Sequence, residues 1–308
     1  MNYFDLHCDT LSEIQKNSTA LLDGKTAVSL QKAEKLEAWC QCFAVWTPDF
    51  LKGEAAYQNY KKQVDILTEQ SMLNSDRMVF CKQKDDIAEA VKDGKCAAIL
   101  TVENGSILAG DLARIQELKK DGVKIFSYTW NGQNELGSGV SNNNSLSMTG
   151  RSAVRELNRV GITIDVSHIA DKGFYDILNL TCKPIIATHS NSRAVCNHPR
   201  NLTDDQFQAI QQTEGIVGIN FYTLFLSNSK NAGLNDIFKH IEHFLKLGGE
   251  NTLCIGSDFD GAEPPAQLKN ISLVDALYEE MLRRGYGSEL ANKILFKNAY
   301  DFAMKNFD

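Results

Sequence analysis

The sequence has no long apolar run, no basic cluster and no paired-cysteine motif, and each absence removes a class of protein. No stretch approaches the ~18 apolar residues that a membrane-spanning helix requires. No run of Lys and Arg could track a phosphate backbone, and 32 basic residues against 39 acidic ones leave a formal charge of −7. Nucleic acid is therefore not an expected partner, nor is a membrane. Five prolines in 308 residues are too few for a disordered or fibrous chain. The eight cysteines are scattered, and most stand inside apolar runs, where a thiol behaves as a small buried hydrophobe. A core of this size needs no disulfide staples. An apolar, strand-like run begins at Tyr3 and leaves no room for a secretion signal, so a reduced, cytoplasmic protein is the expectation. H-E-x-x-H and G-x-S-x-G are missing as well. The triplet Gly24-Lys25-Thr26 is no phosphate loop, because Thr19 stands where the first glycine would be.

What the chain does have is a rhythm. Short apolar runs at 3–6, 39–46, 97–102, 123–128, 162–166, 184–187, 216–221 and 253–255 alternate with amphipathic stretches such as 55–71, 85–91, 112–118, 151–159, 204–212 and 234–247. Several runs are apolar at nearly every position, as strands buried on both faces of a parallel sheet must be. Gly94, Gly122, Gly161 and Gly215 each fall between a helix pattern and a strand, where a left-handed terminating residue belongs. Eight strand-helix units predict an α/β fold, a closed (β/α)8 TIM barrel forming one domain over residues 1–308. The segment 131–147 is polar, rich in Gly, Asn and Ser, and too long for a simple turn, so it reads as a functional loop above the barrel.

The ionisable residues fall at the strand ends. The first run carries His7 and Asp9, the third ends at Glu103, the fifth at His168, the sixth at His189, and the eighth at Asp258 and Asp260. In a (β/α)8 barrel those ends converge on one rim, where active sites are built. Three imidazoles and several carboxylates around one mouth would leave desolvated groups without partners, which is costly. Two divalent cations would turn that repulsion into ligation, and a donor set of imidazole and carboxylate without thiolate suits zinc or a similar transition metal. Of the other histidines, His240 and His243 read as surface or helix-packing residues and His198 as loop structure.

The ordered set Asp5-Leu6-His7-Cys8-Asp9-Thr10, Glu103, Asp165-Val166-Ser167-His168, Thr188-His189-Ser190 and Gly256-Ser257-Asp258-Phe259-Asp260-Gly261 resembles the membrane (renal) dipeptidase family of dinuclear zinc peptidases. The resemblance implies a metal-dependent hydrolase of the TIM-barrel type that cleaves dipeptides with a free C-terminal carboxylate. It implies two zinc ions, one held by His7, Asp9 and Glu103 and the other by Glu103, His168 and His189, with Glu103 bridging. A shared hydroxide would attack the scissile carbonyl. Asp258 would be the acid/base, with Asp260 the alternative, since an extended strand puts both on one side. Arg200, in Asn197-His198-Pro199-Arg200-Asn201, would grip the substrate carboxylate, and Tyr222 would line the same pocket. Trp130 stands where animal members carry a carbonyl-polarising histidine, which leaves Asn131, Asn134 or a rearranged loop to supply a donor. The resemblance further implies a microbial, cytoplasmic member and a homodimer. Two other readings stay open: another dinuclear amidohydrolase-type enzyme acting on a cyclic amide, lactone or phosphotriester, and a metal-binding barrel without turnover. The opening His7-x-Asp9, in place of H-x-H, and Glu103 at the bridge weigh against the first; Asp258 weighs against the second.

Overall fold

The computed structural model describes residues 1–229 and 232–308. Its parallel strands are β1 (Tyr3–Cys8), β2 (Trp39–Trp46), β3 (Met78–Cys81), β4 (Cys96–Glu103), β5 (Ile125–Ser127), β6 (Thr163–Asp165), β7 (Ile185–Ile186), β8 (Val217–Ile219) and β9 (Leu253–Ile255). They pair in the order β7-β6-β5-β4-β2-β1-β9-β8, and a bridge between Ala187 and Val217 joins the two ends. The result is an eight-stranded parallel barrel whose strands coincide with the eight apolar runs. The short β3 was not expected. It pairs only with β4 and stands outside the ring.

Helices lie on every crossover: α1 (Thr10–Asn17), α2 (Gly53–Leu73), α3 (Lys84–Lys92), α4 (Arg114–Asp121), α5 (Met148–Val160), α6 (Asp171–Leu180), α7 (Asp204–Gln212), α8 (Thr223–Leu226) and α9 (Leu234–Lys246). After β9 the chain closes with α10 (Asp275–Arg283), α11 (Gly287–Asn292) and α12 (Asn298–Asn306), the last two joined by a π-helical turn over Lys293–Lys297.

The alternation along β4 shows how the barrel sorts its side chains. Ala98, Leu100 and Val102 join the apolar layer beneath the helices, with Leu67, Leu118, Leu157 and Phe126. Ala97 and Ile99 join a second cluster with Phe4, Leu6, Cys40, Cys42, Ile125 and Ile186, closed by Phe296 and Phe302 from the C-terminal helices. Period two therefore carries the second face on through Thr101 to Glu103, into the mouth of the barrel. Each large apolar side chain so buried contributes about 1.5–3 kcal/mol relative to exposure. All eight cysteines are free thiols, and seven of them are buried.

Three of the four punctuating glycines adopt the expected left-handed conformation: Gly94 (φ 66°), Gly122 (φ 99°) and Gly161 (φ 74°). Gly215 does not. There the left-handed residue is Glu214 (φ 61°), and Gly215 is required for a different reason, because a Cβ would lie 1.9 Å from the Ile185 carbonyl oxygen. No helix among the described residues is long and apolar enough to cross a membrane.

Candidate metal centre

The strand ends bring His7, Asp9, Glu103, His168, His189 and Asp258 into one buried cluster. Ligand atoms of His7, Asp9 and Glu103 lie within 4.8 Å of one another, as do those of Glu103, His168 and His189, and of His7, His189 and Asp258. Glu103 belongs to two of these groups through different oxygens. Its Oε2 is 3.4 Å from His7 Nε2, whereas its Oε1 is 2.6 Å from His168 Nε2 and 3.8 Å from His189 Nε2. His7 Nε2 also lies 3.4 Å from Asp9 Oδ2 and 3.9 Å from Asp258 Oδ1.

The chain reaches this geometry by leaving regular structure at each rim position. A register shift between Asp5 and Cys8 turns the end of β1, and Asp9 lies beyond the strand as the cap of α1. Asn104, directly after Glu103, is held at φ 89° by its own side chain, which donates to Thr47 O and accepts from Ser106 N and Asn134 Nδ2. Asp258 and Asp260 are also left-handed (φ 63° and 68°), a conformation that Asp and Asn tolerate better than other side chains. This corrects the expectation of an extended strand with both carboxylates on one side. Asp258 turns into the cluster, where Asn220 Nδ2 donates to its Oδ2 at 2.9 Å. Asp260 turns away and accepts from Thr10 Oγ1 and Ala27 N, both at 2.6 Å, so it fastens the loop after α1.

The electrostatics are those of buried ionisable groups packed against one another. Burial and the Glu103 charge lift the Asp9 carboxyl to about 8, and burial with the same neighbour lifts Asp258 to about 6. Burial opposes charge on His7, yet Glu103 and Asp9 beside it raise its imidazole well above the ordinary value. Burial, with Arg200 nearby, drives His168 down to about 4, and burial with His7 pulls His189 well below its usual range. His7 Nε2 and Asp9 Oδ1 have no hydrogen-bond partner among the described residues although both are buried. His168 Nε2 and His189 Nε2 face each other at 2.9 Å. Their other ring nitrogens are engaged, with Asn131 Oδ1 at 3.0 Å and Thr188 Oγ1 at 2.8 Å. Converging ring nitrogens, unpartnered buried ligand atoms and two carboxyls raised by burial and by Glu103 fit a cationic occupant, and ring nitrogens held from behind are usual for metal-ligating histidines.

The centre opens into a cavity of about 1250 Å³ whose wall includes Asp9, Glu103, Trp130, Asn131, His168, Tyr222, Phe225 and Asp258. Trp130 meets Trp46 edge-on, with ring centroids 5.2 Å apart, and Tyr222 meets Phe225 at 4.8 Å. Arg200 lies behind this wall, 3% exposed, over the Phe225 ring. Its Nη1 donates to Ser167 O, while Nε and Nη2 have no partner among the described residues. Burial pulls the guanidinium down to about 10, so it stays charged at neutral pH. The loop that carries it is clamped by Arg193, which pairs with Asp171 at 2.8 and 2.9 Å.

The remaining histidines stand apart from the centre. His198 accepts from Arg200 N and packs on Phe225, and His243 pairs with Asp204 at 2.7 Å. His240 is fully buried, with Nε2 donating to Leu226 O and Nδ1 accepting from Ser192 N. Sequence reasoning missed Asn220 and the buried carboxylates Asp5 and Asp165. A signal for the last two was present, since a hydroxyl residue precedes each ligand-bearing end in Ser167-His168, Thr188-His189 and Ser257-Asp258. Those hydroxyls donate to Asp165 (Ser167, Thr188) or to Asp5 (Ser257). Asn131 and Asn134 are both spoken for in part, Asn131 by His168 and Asn134 by Asn104 and Tyr128 O.

Comparison with known proteins agrees with this architecture. A metallopeptidase from Rhodobacter sphaeroides, solved with a phosphinate mimic of the dipeptide L-Ala-D-Ala, superposes with a TM-score of 0.94 at 26% identity, covering 99% of each chain. A dipeptidase of Claviceps purpurea is 31% identical over 252 residues, which is 79% of this chain and 59% of that protein. An uncharacterised protein of Klebsiella pneumoniae is 30% identical over 249 residues, 77% of this chain and 92% of that one. The model of the membrane dipeptidase family, peptidase family M19, matches residues 1–302. The chain therefore belongs to the membrane dipeptidase family and is a metal-dependent dipeptidase.

Proposed function

We propose that residues 1–308 act as one catalytic barrel that holds two zinc ions and hydrolyses dipeptides with a free C-terminal carboxylate. His7, Asp9 and Glu103 would hold one ion, and Glu103, His168 and His189 the other. The observation that carries this reading is Glu103, whose two oxygens face two separate sets of donors. A cation pair supplies Lewis acidity toward the carbonyl and brings the pKa of a water near ~7.

The chain's own residues do the rest. Asp258, held through Oδ2 by Asn220, keeps Oδ1 toward His7 and the cavity. From that position it can take a proton from the attacking water and return it to the departing amine. Arg200 keeps Nε and Nη2 unpartnered among the described residues, behind Phe225; turned toward the cavity, that edge of the guanidinium would match a carboxylate in two parallel hydrogen bonds. Trp130, braced by Trp46, and Tyr222, braced by Phe225, bound the space left for the substrate side chains.

Titration of metal-depleted protein with Zn²⁺ tests the reading. Two equivalents should bind, and dipeptide hydrolysis should return with them. Full activity at one equivalent, or a Glu103→Gln variant that keeps its metal and its activity, would overturn it.

A further inference from the structure

Asp165 is the last residue of β6, 1% exposed, and has no cation within ion-pair distance among the described residues. It accepts five hydrogen bonds. Oδ1 takes the backbone N–H groups of Ser167 (3.0 Å) and Thr188 (2.9 Å) and the Ser167 hydroxyl (2.6 Å). Oδ2 takes the hydroxyls of Ser127 and of Thr188, the latter at 2.8 Å. These bonds bind the ends of β5, β6 and β7 together immediately before His168 and His189.

Thr188 Oγ1 has three neighbours that could take its proton, Asp165 Oδ2 at 2.8 Å, His189 Nδ1 at 2.8 Å and Ser167 Oγ at 3.1 Å, and the carboxylate is the strongest acceptor of the three. A hydroxyl has a single proton to give, and an ionised carboxylate can only accept. With that proton directed at Asp165 Oδ2, Thr188 Oγ1 faces the His189 ring, 2.8 Å away, as an acceptor. His189 must therefore carry its proton on Nδ1. The unprotonated nitrogen is Nε2, the atom that stands 2.9 Å from His168 Nε2 and 3.8 Å from Glu103 Oε1. We infer that Asp165 is a positioning residue which, relayed through the Thr188 hydroxyl, fixes the tautomer of His189 and so aims its Nε2 lone pair into the centre. The inference rests on the reading of His189 as a metal ligand, but the tautomer can be observed without any metal.

An amide in place of the carboxylate should reverse the relay. In Asp165→Asn the carboxamide oxygen must take the Oδ1 place, because two backbone N–H groups point there. Its NH₂ then occupies the Oδ2 place and donates to Thr188. The Thr188 proton then swings to His189 Nδ1, nearer at 2.8 Å than Ser167 Oγ at 3.1 Å, and the ring is left with its hydrogen on Nε2.

Ring ¹⁵N shifts of the full-length, metal-depleted protein, in mildly alkaline buffer where imidazoles are neutral, read this directly. The wild-type His189 should show a protonated Nδ1 and a bare Nε2. Asp165→Asn should show the reverse, with Zn²⁺ affinity lowered about 10- to 100-fold. Should Asp165→Asn fail to fold, Thr188→Val, which has the same shape without the relay, should lose the Nδ1–H preference, and Thr188→Ser should keep it. An unchanged His189 pattern in folded Asp165→Asn or Thr188→Val overturns the inference. A reversed pattern with unaltered Zn²⁺ affinity supports the relay and counts instead against His189 as a ligand.

Discussion

Replacing Arg200 by Met should abolish the preference for a free C-terminal carboxylate while leaving hydrolysis itself in place. Arg200 is buried, charged at neutral pH, and has two donors without partners, Nε and Nη2, alongside one bonded to Ser167 O. Each hydrogen bond between charged partners contributes ~1.5–3 kcal/mol. Two parallel bonds to a carboxylate therefore give roughly 3–6 kcal/mol, or about 10²- to 10⁴-fold in kcat/KM at ~1.4 kcal/mol per decade. A C-terminal amide presents one acceptor and no charge, so the wild-type enzyme should favour the free acid over its amide by a factor in that range. In Arg200→Met the two substrates should differ by less than about tenfold, because what distinguished them is gone. The assay is kcat/KM for a dipeptide and its amide with both proteins, at equal metal content. A free-acid preference that survives the substitution would refute the reasoning, and Arg200 would then be a buried strut for the Ser167 carbonyl.

Asp258→Asn should retain its full complement of metal yet lose about 10²- to 10⁴-fold in kcat, whereas Asp260→Asn, which loosens only the contacts to Thr10, Ala27 and Val28, should lower thermal stability more than kcat; metal analysis, kinetics and melting curves separate the two. Gly256→Ala should destabilise the protein by about 1–3 kcal/mol in urea, since a Cβ there would stand 1.8 Å from the Thr188 carbonyl oxygen, and a neutral effect would mean that the segment after β7 can yield. Burial draws the His240 imidazole down to about 4, while an unfolded chain titrates near ~6.5. The neutral ring is thus favoured in the fold: its stability is complete above the unfolded value and falls as the pH drops between the two. The difference between wild type and His240→Asn in metal-free protein should shrink by about 3 kcal/mol across that window, and a constant difference would rule out His240 as the titrating group.

The barrel was legible because its strands are covered on both faces, which makes them apolar at almost every position. The same reasoning explains what was missed. β3 is four residues long, and its central Val79 and Phe80 are only partly buried, so it lacks that signature. At the rim, His7, Glu103, His168 and His189 could be placed from period and order alone. The fate of Asp260 could not, since it depends on two left-handed residues and on a loop more than 200 positions away in sequence. Arg200 was legible as a residue type, but its burial and its two unpartnered donors are products of how the loop after β7 folds back on Phe225.

The sheet is unevenly made around its circumference. β2 and β4 share eight residue pairs, whereas β7 has two with β6 and meets β8 through one bridge. Local opening favours the segment with the fewest ladder bonds, so amide exchange should begin at the β7–β8 seam and reach β2 and β4 last. His189 sits at that seam, and Glu103 terminates the most strongly paired strand. An ion joining the two would tie the slowest-exchanging part of the sheet to the fastest. Metal binding should accordingly slow exchange most where the backbone holds least, at 185–190 and 216–219. The centre would then act on the barrel as a clasp as well as on the substrate.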